Sequence, residues 1–167
     1  MTQRKLIYET FVLSNFNFCP VVWHYCSKKS TQQMERIQKR ALRFLLDDHE
    51  STYDELLNKA KISTLTLSRI RQIATEVFKC IRGINPPFMS QIFKLKDSKY
   101  NLRNQSISEV PKFKTHTHGK NAFRYQGCHI WNQLPNEITN ATSLTNFKCL
   151  LKKWNRPTCK CNVCNHF

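Results

Sequence analysis

Acidic residues are scarce in this chain. Its 167 residues contain 11 Asp and Glu against 27 Lys and Arg, which gives a formal net charge of +16. Only four of the acids follow Glu55, whereas 19 of the Lys and Arg do, so the C-terminal two-thirds is almost purely cationic. Such an imbalance attracts polyanions over long distances. It predicts a nucleic-acid partner, bound through neutralisation of backbone phosphates and release of their counterions.

Glycine, proline and long apolar runs are also scarce. With 3 Gly and 6 Pro, neither a Gly-rich linker protein nor an all-β fold with many turns is favoured. No run of about 18 apolar residues occurs, so no membrane span is expected. No apolar leader follows the basic N-terminus, so secretion is not indicated and the eight cysteines are expected to be reduced.

Hydrophobic spacing predicts a mainly α fold. Apolar residues recur at helical intervals over most of residues 1–93, which we interpret as a helical bundle. Residues 94–120 are predicted to be a basic loop or extended linker that could include one or two short strands near residues 110–115. Residues 121–156 are predicted to form a small aromatic-rich subdomain that is mixed α/β or irregular, and residues 157–167 a Cys/His tail.

One predicted helix carries the strongest binding signal. Ser30 followed by Gln33 indicates its start, and it should end near Leu46. Its core face is predicted to hold Met34, Ile37, Ala41, Phe44 and Leu45. A second face carries four cations, Arg36, Lys39, Arg40 and Arg43. Two interpretations stay open: a solvated charged face, or a stripe that contacts nucleic acid.

Further candidate contacts lie downstream. Lys112, Lys114 and Lys120 are spaced along the basic linker, and Arg124 lies between Phe123 and Tyr125. Arg124 could stack beside bases. The alternation equally describes a half-buried strand with both aromatic rings inside, and we favour that interpretation.

An acidic pair, Asp47 and Asp48, invites comparison with the paired carboxylates that hold two metal ions for phosphoryl transfer. The residues before it form a basic amphipathic helix rather than a strand, and no Asp occurs in residues 1–46 to complete such a site. The sequence therefore predicts an acidic turn and no catalytic residues. The alternative is a metal-dependent nuclease that uses these aspartates with Glu50.

The tail predicts a zinc site. Three thiols and an imidazole lie within eight residues, and soft sulfur and nitrogen ligands suit tetrahedral zinc. Cys128, His129 or Cys149 are candidates to complete it, and the alternative is a disordered, redox-sensitive chain end. The predicted ligands are Cys159, Cys161, Cys164 and His166.

Several short segments, spread over almost the whole chain, occur in an informative order. They are Ile7–Trp23, Met34–Phe44, Tyr100–Arg103, Thr117–Gly127, Ile130–Pro135 and Ser143–Lys148. Together with the final Cys-x-Cys-x-x-Cys pattern, they resemble the C-terminal thumb and post-thumb region of LINE-type, non-LTR retrotransposon reverse transcriptases of the Jockey and chicken-repeat type. The resemblance covers about residues 5–164.

This resemblance implies a thumb-like helical bundle from an RNA-directed DNA polymerase. The family's fingers and palm, with the catalytic carboxylates, lie upstream, so a fragment without the active site is implied, either a genomic remnant or a truncated gene. The implied partners are RNA, RNA/DNA hybrid or DNA, together with the missing palm and fingers. The implied location is a nuclear or cytoplasmic ribonucleoprotein. The alternative is a domesticated or remnant helical protein-interaction module with no nucleic-acid role.

Overall fold

The computed structural model describes residues 3–96 and 108–154, and within these ranges it is mainly helical, as predicted. The only β pairing in the described ranges is one antiparallel bridge between Leu95 and Ser108. None of the described helices combines the length and the apolarity that crossing a membrane would require. In chain order the elements are α1 (Gln3–Ile7), a π-helical turn (Tyr8–Leu13), α2 (Ser14–Asn17), α3 (Pro20–Trp23), α4 (Lys28–Leu46), α5 (Tyr53–Ala60), α6 (Leu65–Ile81), α7 (Pro87–Ser90), α8 (His116–Gly119), α9 (Phe123–Asn132), α10 (Asn136–Thr139) and α11 (Leu144–Lys153).

The chain divides into two compact units, Met1–Arg69 and Ile70–Phe167. The division falls inside α6, whose first residues belong to one unit and whose remainder belongs to the other. The boundaries predicted from composition, at residues 93, 120 and 156, stay predictions.

The first unit is built around one apolar cluster. Tyr8, Leu42, Leu56 and Leu57 are buried there, so the π-helical turn, α4 and α5 share a core. A capping box fixes the start of α5, since Thr52 N donates to Glu55 Oε2 at 2.9 Å while the Thr52 side chain accepts from the backbone of Glu55.

The start of α4 differs from the sequence prediction by three residues. Ser27, not Ser30, is the N-cap: its backbone is extended, and its hydroxyl accepts from Ser30 N at 3.1 Å. The helix ends at Leu46, as predicted, and Asp47 closes it in the left-handed conformation with φ 57°. The acidic pair therefore lies in a turn after a helix, as the sequence indicated.

The predicted core face of α4 is wrong in part. Ile37 and Phe44 are 51% and 50% exposed, whereas Thr31, Gln38 and Leu42 are buried. Buried Gln38 is paired, because its Nε2 donates to Ser63 O at 3.3 Å and its Oε1 accepts from Tyr53 Oη at 2.5 Å. Polar side chains with partners can occupy core positions. Because the prediction counted only apolar residues, it placed the buried side of α4 at a different angle around the helix from the side that is buried in the structure.

In the second unit, α6 supplies one side of an aromatic core. The rings of Phe78 and Phe147 stack at 4.3 Å, and the Trp131 ring lies 6.2 Å from that of Phe147. All three side chains are almost fully buried. Ser143 caps α11, since its hydroxyl accepts from Asn146 N at 3.2 Å.

The mixed α/β interpretation of residues 121–156 is corrected by the structure. Phe123, Arg124 and Tyr125 begin helix α9 rather than a strand, and residues 110–115 form no strand either. Three alternating residues fit a helix as well as a strand. The longer pattern decides, because Gly127, Ile130 and Trp131 are buried at helical spacing after Phe123.

Gly127 permits the close approach of α9 to its neighbours. A Cβ at this position would lie 2.8 Å from Cε1 and Cζ of Phe93 and 2.9 Å from Cγ2 of Val77. Both neighbours are buried, so neither can move freely. Overpacking of this kind costs about 1–3 kcal/mol, against a gain in helix propensity of about 0.8–1 kcal/mol for Ala over Gly.

We therefore expect Gly127→Ala to lower the free energy of unfolding by about 1 kcal/mol or more, as measured by urea denaturation. The exposed Thr145→Ala on α11 is the control and should stay within about 0.5 kcal/mol of wild type. A Gly127→Ala protein that is as stable as wild type would mean that α9 has room for the methyl group.

Candidate nucleic-acid interface

Four cations follow one side of α4 in the first unit. At about 100° per residue, Arg36, Lys39, Arg40 and Arg43 lie within an arc of roughly 100°. Arg36 and Arg40 are exposed, and Lys39 and Arg43 are half-buried. We call these four residues the α4 stripe. The structure therefore brings together all four cations that the sequence placed on this helix.

Within residues 3–96 and 108–154, no acid forms an ion pair with any member of the α4 stripe. The single acid of α4, Glu35, points to the start of α6 instead. Its Oε1 accepts from Thr66 N and from Thr66 Oγ1, both at 2.9 Å, and its Oε2 accepts from Leu65 N at 3.3 Å. A carboxylate that bonds the unsatisfied N–H groups of a helix start is favourably placed. The stripe therefore keeps its positive charge.

Tyr53 completes this arrangement. The single hydrogen of its hydroxyl is shared between two acceptors, Glu35 Oε2 and Gln38 Oε1, each 2.5 Å from Tyr53 Oη. Burial, reinforced by the adjacent Glu35 carboxylate, raises the pKa of Tyr53 well above its usual value, so the hydroxyl stays protonated. The network joins α4, α5 and the start of α6, and it fixes which side of α4 faces inward.

Both carboxylates of the acidic pair after α4 form ion pairs. Asp47 Oδ2 lies 3.1 Å from Arg4 Nη1, and Asp48 Oδ2 lies 2.5 Å from Lys59 Nζ. Hydrogen bonds from Lys59 and Ser51 hold the pKa of Asp48 well below its usual range. Each carboxylate thus has its own cation on another element. The prediction that the chain has no catalytic residues stays a prediction.

An apolar edge borders the α4 stripe, and sequence reasoning missed it. The exposed Ile37 and Phe44 lie three residues before and four residues after Arg40, so they flank it on the helix surface. The guanidinium of Arg4 lies 5.7 Å from the centroid of the Phe44 ring, as in a cation–π contact. The residue that could have revealed this edge in the sequence is Gln38. If Gln38 takes a core position of α4, its amide needs hydrogen-bond partners inside the fold, and Ile37 and Phe44 then face outward.

The second predicted group of cations belongs to the second unit. Lys112, Lys114 and Arg124 are exposed, and Lys120 is half-buried with its carbonyl accepting from Gln126 Nε2 at 2.5 Å. Contacts of neighbouring residues fix the backbone that carries these cations. Phe113 packs on Gly119 of α8, and its ring lies 6.0 Å from that of Tyr125 in α9.

The predicted zinc ligands Cys159, Cys161, Cys164 and His166 lie outside the described residues. In the parts of the chain that the structure covers, no three His, Cys, Asp or Glu side chains are grouped to hold a metal. Of the residues considered as completing ligands, Cys149 is exposed, whereas Cys128 is buried. Burial raises the pKa of the Cys128 thiol, which donates to Glu109 O at 3.2 Å. Zinc in the tail stays a prediction.

No protein-family model, curated protein or solved structure matches this chain. Its function is therefore inferred from the geometry and charge of the site itself.

Proposed function

We propose that this chain binds nucleic acid, that the cations of the α4 stripe contact the phosphates of the nucleic-acid backbone, and that the chain has no catalytic residues of its own. One observation carries the proposal: four cations share one side of a helix whose single acid is bound to the start of another helix. Three of the four are arginines, whose planar guanidinium groups can donate two hydrogen bonds to one phosphate.

The dimensions of the stripe fit this role. From Arg36 to Arg43 it spans seven residues, or about 10 Å at 1.5 Å per residue. At about 3.4 Å of duplex axis per phosphate of one strand, that length covers three intervals and therefore about four phosphates. Such contacts position a protein on its ligand and carry little sequence information. The proposed ligands are therefore RNA, RNA/DNA hybrid or DNA, bound with little dependence on sequence.

The proposed origin is the thumb and post-thumb region of a LINE-type reverse transcriptase. Its support is the ordered set of sequence landmarks described above, together with a basic helical fold. In that setting the α4 stripe would hold the template–primer duplex, while the fingers and palm of the polymerase supply the chemistry. The proposed location is an intracellular ribonucleoprotein, nuclear or cytoplasmic.

A salt titration of the wild-type chain tests the proposal. Fluorescence anisotropy with a labelled duplex gives the association constant at several salt concentrations. Four phosphate contacts predict a slope of log K against log salt of about −3.6, at about −0.9 per contact for B-DNA. Absence of binding at low salt, or an affinity that does not change with salt, would rule out phosphate binding.

A second candidate function, protein binding, is favoured by a different observation. Phe11, Phe18 and Val22, near the N-terminus, are among the most exposed large apolar side chains of the described residues. Exposed apolar side chains mark a protein interface where they form a contiguous patch. If a protein partner is the real ligand, its affinity should survive neutralisation of the α4 stripe.

A further inference from the structure

Phe113 is an exposed aromatic ring that the fold holds in a defined place. Its side chain is 42% exposed, although it lies in the segment before α8 rather than at a chain end. Gly119 leaves no room for a Cβ, because Cβ and Cγ of Phe113 occupy that space. The Tyr125 ring meets the Phe113 ring edge-on, with 6.0 Å between centroids and an interplanar angle of 61°. Packing thus orders a ring that remains partly open to solvent.

Three cations adjoin, in the sequence, this ring or the ring that contacts it. Lys112 and Lys114 are its neighbours in sequence, and both are exposed. Arg124, also exposed, precedes Tyr125, the residue whose ring contacts Phe113. Within the described residues, none of these three cations takes part in an ion pair. We call Lys112, Phe113, Lys114 and Arg124 the Phe113 patch.

We propose that the Phe113 patch binds single-stranded nucleic acid, with a base stacked on Phe113 and the flanking phosphates bound by Lys112, Lys114 and Arg124. An ordered aromatic ring among cations is the combination that single-strand binding proteins use. A duplex cannot use the ring, because the faces of its bases are already stacked on one another, whereas bases of single strands are free. The inference rests on the proposed function only in taking nucleic acid as the ligand. It assigns single strands to the Phe113 patch, whereas the proposed function assigns a duplex to the α4 stripe.

Other exposed phenylalanines lack one of these features. Phe88 is 69% exposed, yet its neighbours are Pro87 and Met89, so no cation adjoins it in sequence. Phe44 lies beside the α4 stripe, but the Arg4 guanidinium already lies over its ring. Phe113 therefore combines exposure, order and flanking charge, and Phe88 provides a matched control in the same unit.

The test uses the full chain and a short, unstructured RNA in which one base is 2-aminopurine. This base changes its fluorescence when it stacks on a ring, so stacking and affinity are read separately. The variants are Phe113→Ala, Phe113→Leu, Phe113→Tyr and Phe88→Ala. The Leu variant keeps the apolar contact with Gly119 but removes the aromatic face, and thermal melts establish that each variant is folded.

We expect Phe113→Ala and Phe113→Leu to weaken single-strand binding by about 5- to 150-fold and to abolish the change in fluorescence, since that is the usual contribution of one stacked base. Phe113→Tyr should retain both signals, and Phe88→Ala should match wild type. Duplex affinity should be unchanged in all four variants.

Three outcomes would overturn the inference. Single-strand affinity that is unchanged in folded Phe113→Leu would exclude stacking. An equal loss in Phe88→Ala would show that the effect is not specific to the patch. A wild-type chain that binds no nucleic acid would remove the proposed function together with the inference, whereas duplex binding with no dependence of single-strand affinity on Phe113 would remove the inference alone.

Discussion

Replacing Arg36, Lys39, Arg40 and Arg43 together by Gln is expected to lower duplex affinity by about two orders of magnitude or more at low salt. The reason is that each phosphate contact contributes about one unit to the slope of log K against log salt. Through four such contacts, raising salt from about 50 to 200 mM lowers the affinity of the wild-type chain about 150-fold. At the lower salt concentration the four contacts therefore contribute at least this factor, which the variant lacks. The variant should lose most of that dependence. Gln retains good helix propensity, so α4 itself should persist.

The control for this variant removes the same charge elsewhere. Lys94, Lys96, Lys148 and Lys153 are exposed and lie outside the α4 stripe, so their joint replacement by Gln changes net charge equally. If affinity depended only on net charge, both quadruple variants would weaken binding alike. If the stripe is the contact surface, the control should keep a steep salt dependence. An equal loss in both would contradict the assignment of the stripe.

Glu35→Ala is expected to lower the free energy of unfolding of the first unit by about 3 kcal/mol. The carboxylate accepts hydrogen bonds from Tyr53 Oη and from backbone and side-chain donors at the start of α6. Hydrogen bonds to charged groups contribute about 1.5–3 kcal/mol, and partners left buried without an acceptor add a desolvation cost. A loss of this size corresponds to a fall in melting temperature of about 10 °C or more for a domain of this length.

Thermal and urea unfolding measure this effect, with Glu50→Ala as the control because Glu50 is exposed in the turn before α5. Glu35→Gln adds a second readout. Because the Glu35 carboxylate is bound to α6 rather than to the α4 stripe, neutralising it should destabilise the protein yet leave the salt dependence of duplex binding unchanged. A Glu35→Ala protein as stable as the Glu50→Ala control would disprove the capping role. A steeper salt dependence in Glu35→Gln would show that this acid screens the stripe.

Local chemistry made much of the helical scaffold predictable. Pro20 and Pro87 each stand in the first turn of a short helix, Gly83 adopts φ 66° just after α6, and Ser143 caps α11. These signals depend on residues within one turn of the element, so distant contacts do not alter them. For the same reason the α4 stripe could be derived from sequence, because four positions at helical spacing share a side once the helix exists.

The prediction was weaker wherever burial depended on a distant partner. Gln38 lies inside because Ser63 and Tyr53 satisfy its amide, and that pairing turned Ile37 and Phe44 toward solvent. Hydrophobic spacing treats a glutamine as polar and cannot register a hydrogen bond across 25 residues of chain.

The amino-acid sequence by itself determined the excess of positive charge, the positions of most helices and the alignment of four cations along α4. Tertiary structure decided that Glu35 bonds to α6, that no acid in the described ranges pairs with those cations, and that Gly119 and Tyr125 hold Phe113 in place. The physical reason is range: backbone conformation and helical spacing are set by neighbours in the chain, whereas pairing and packing depend on which distant residues the fold brings into contact.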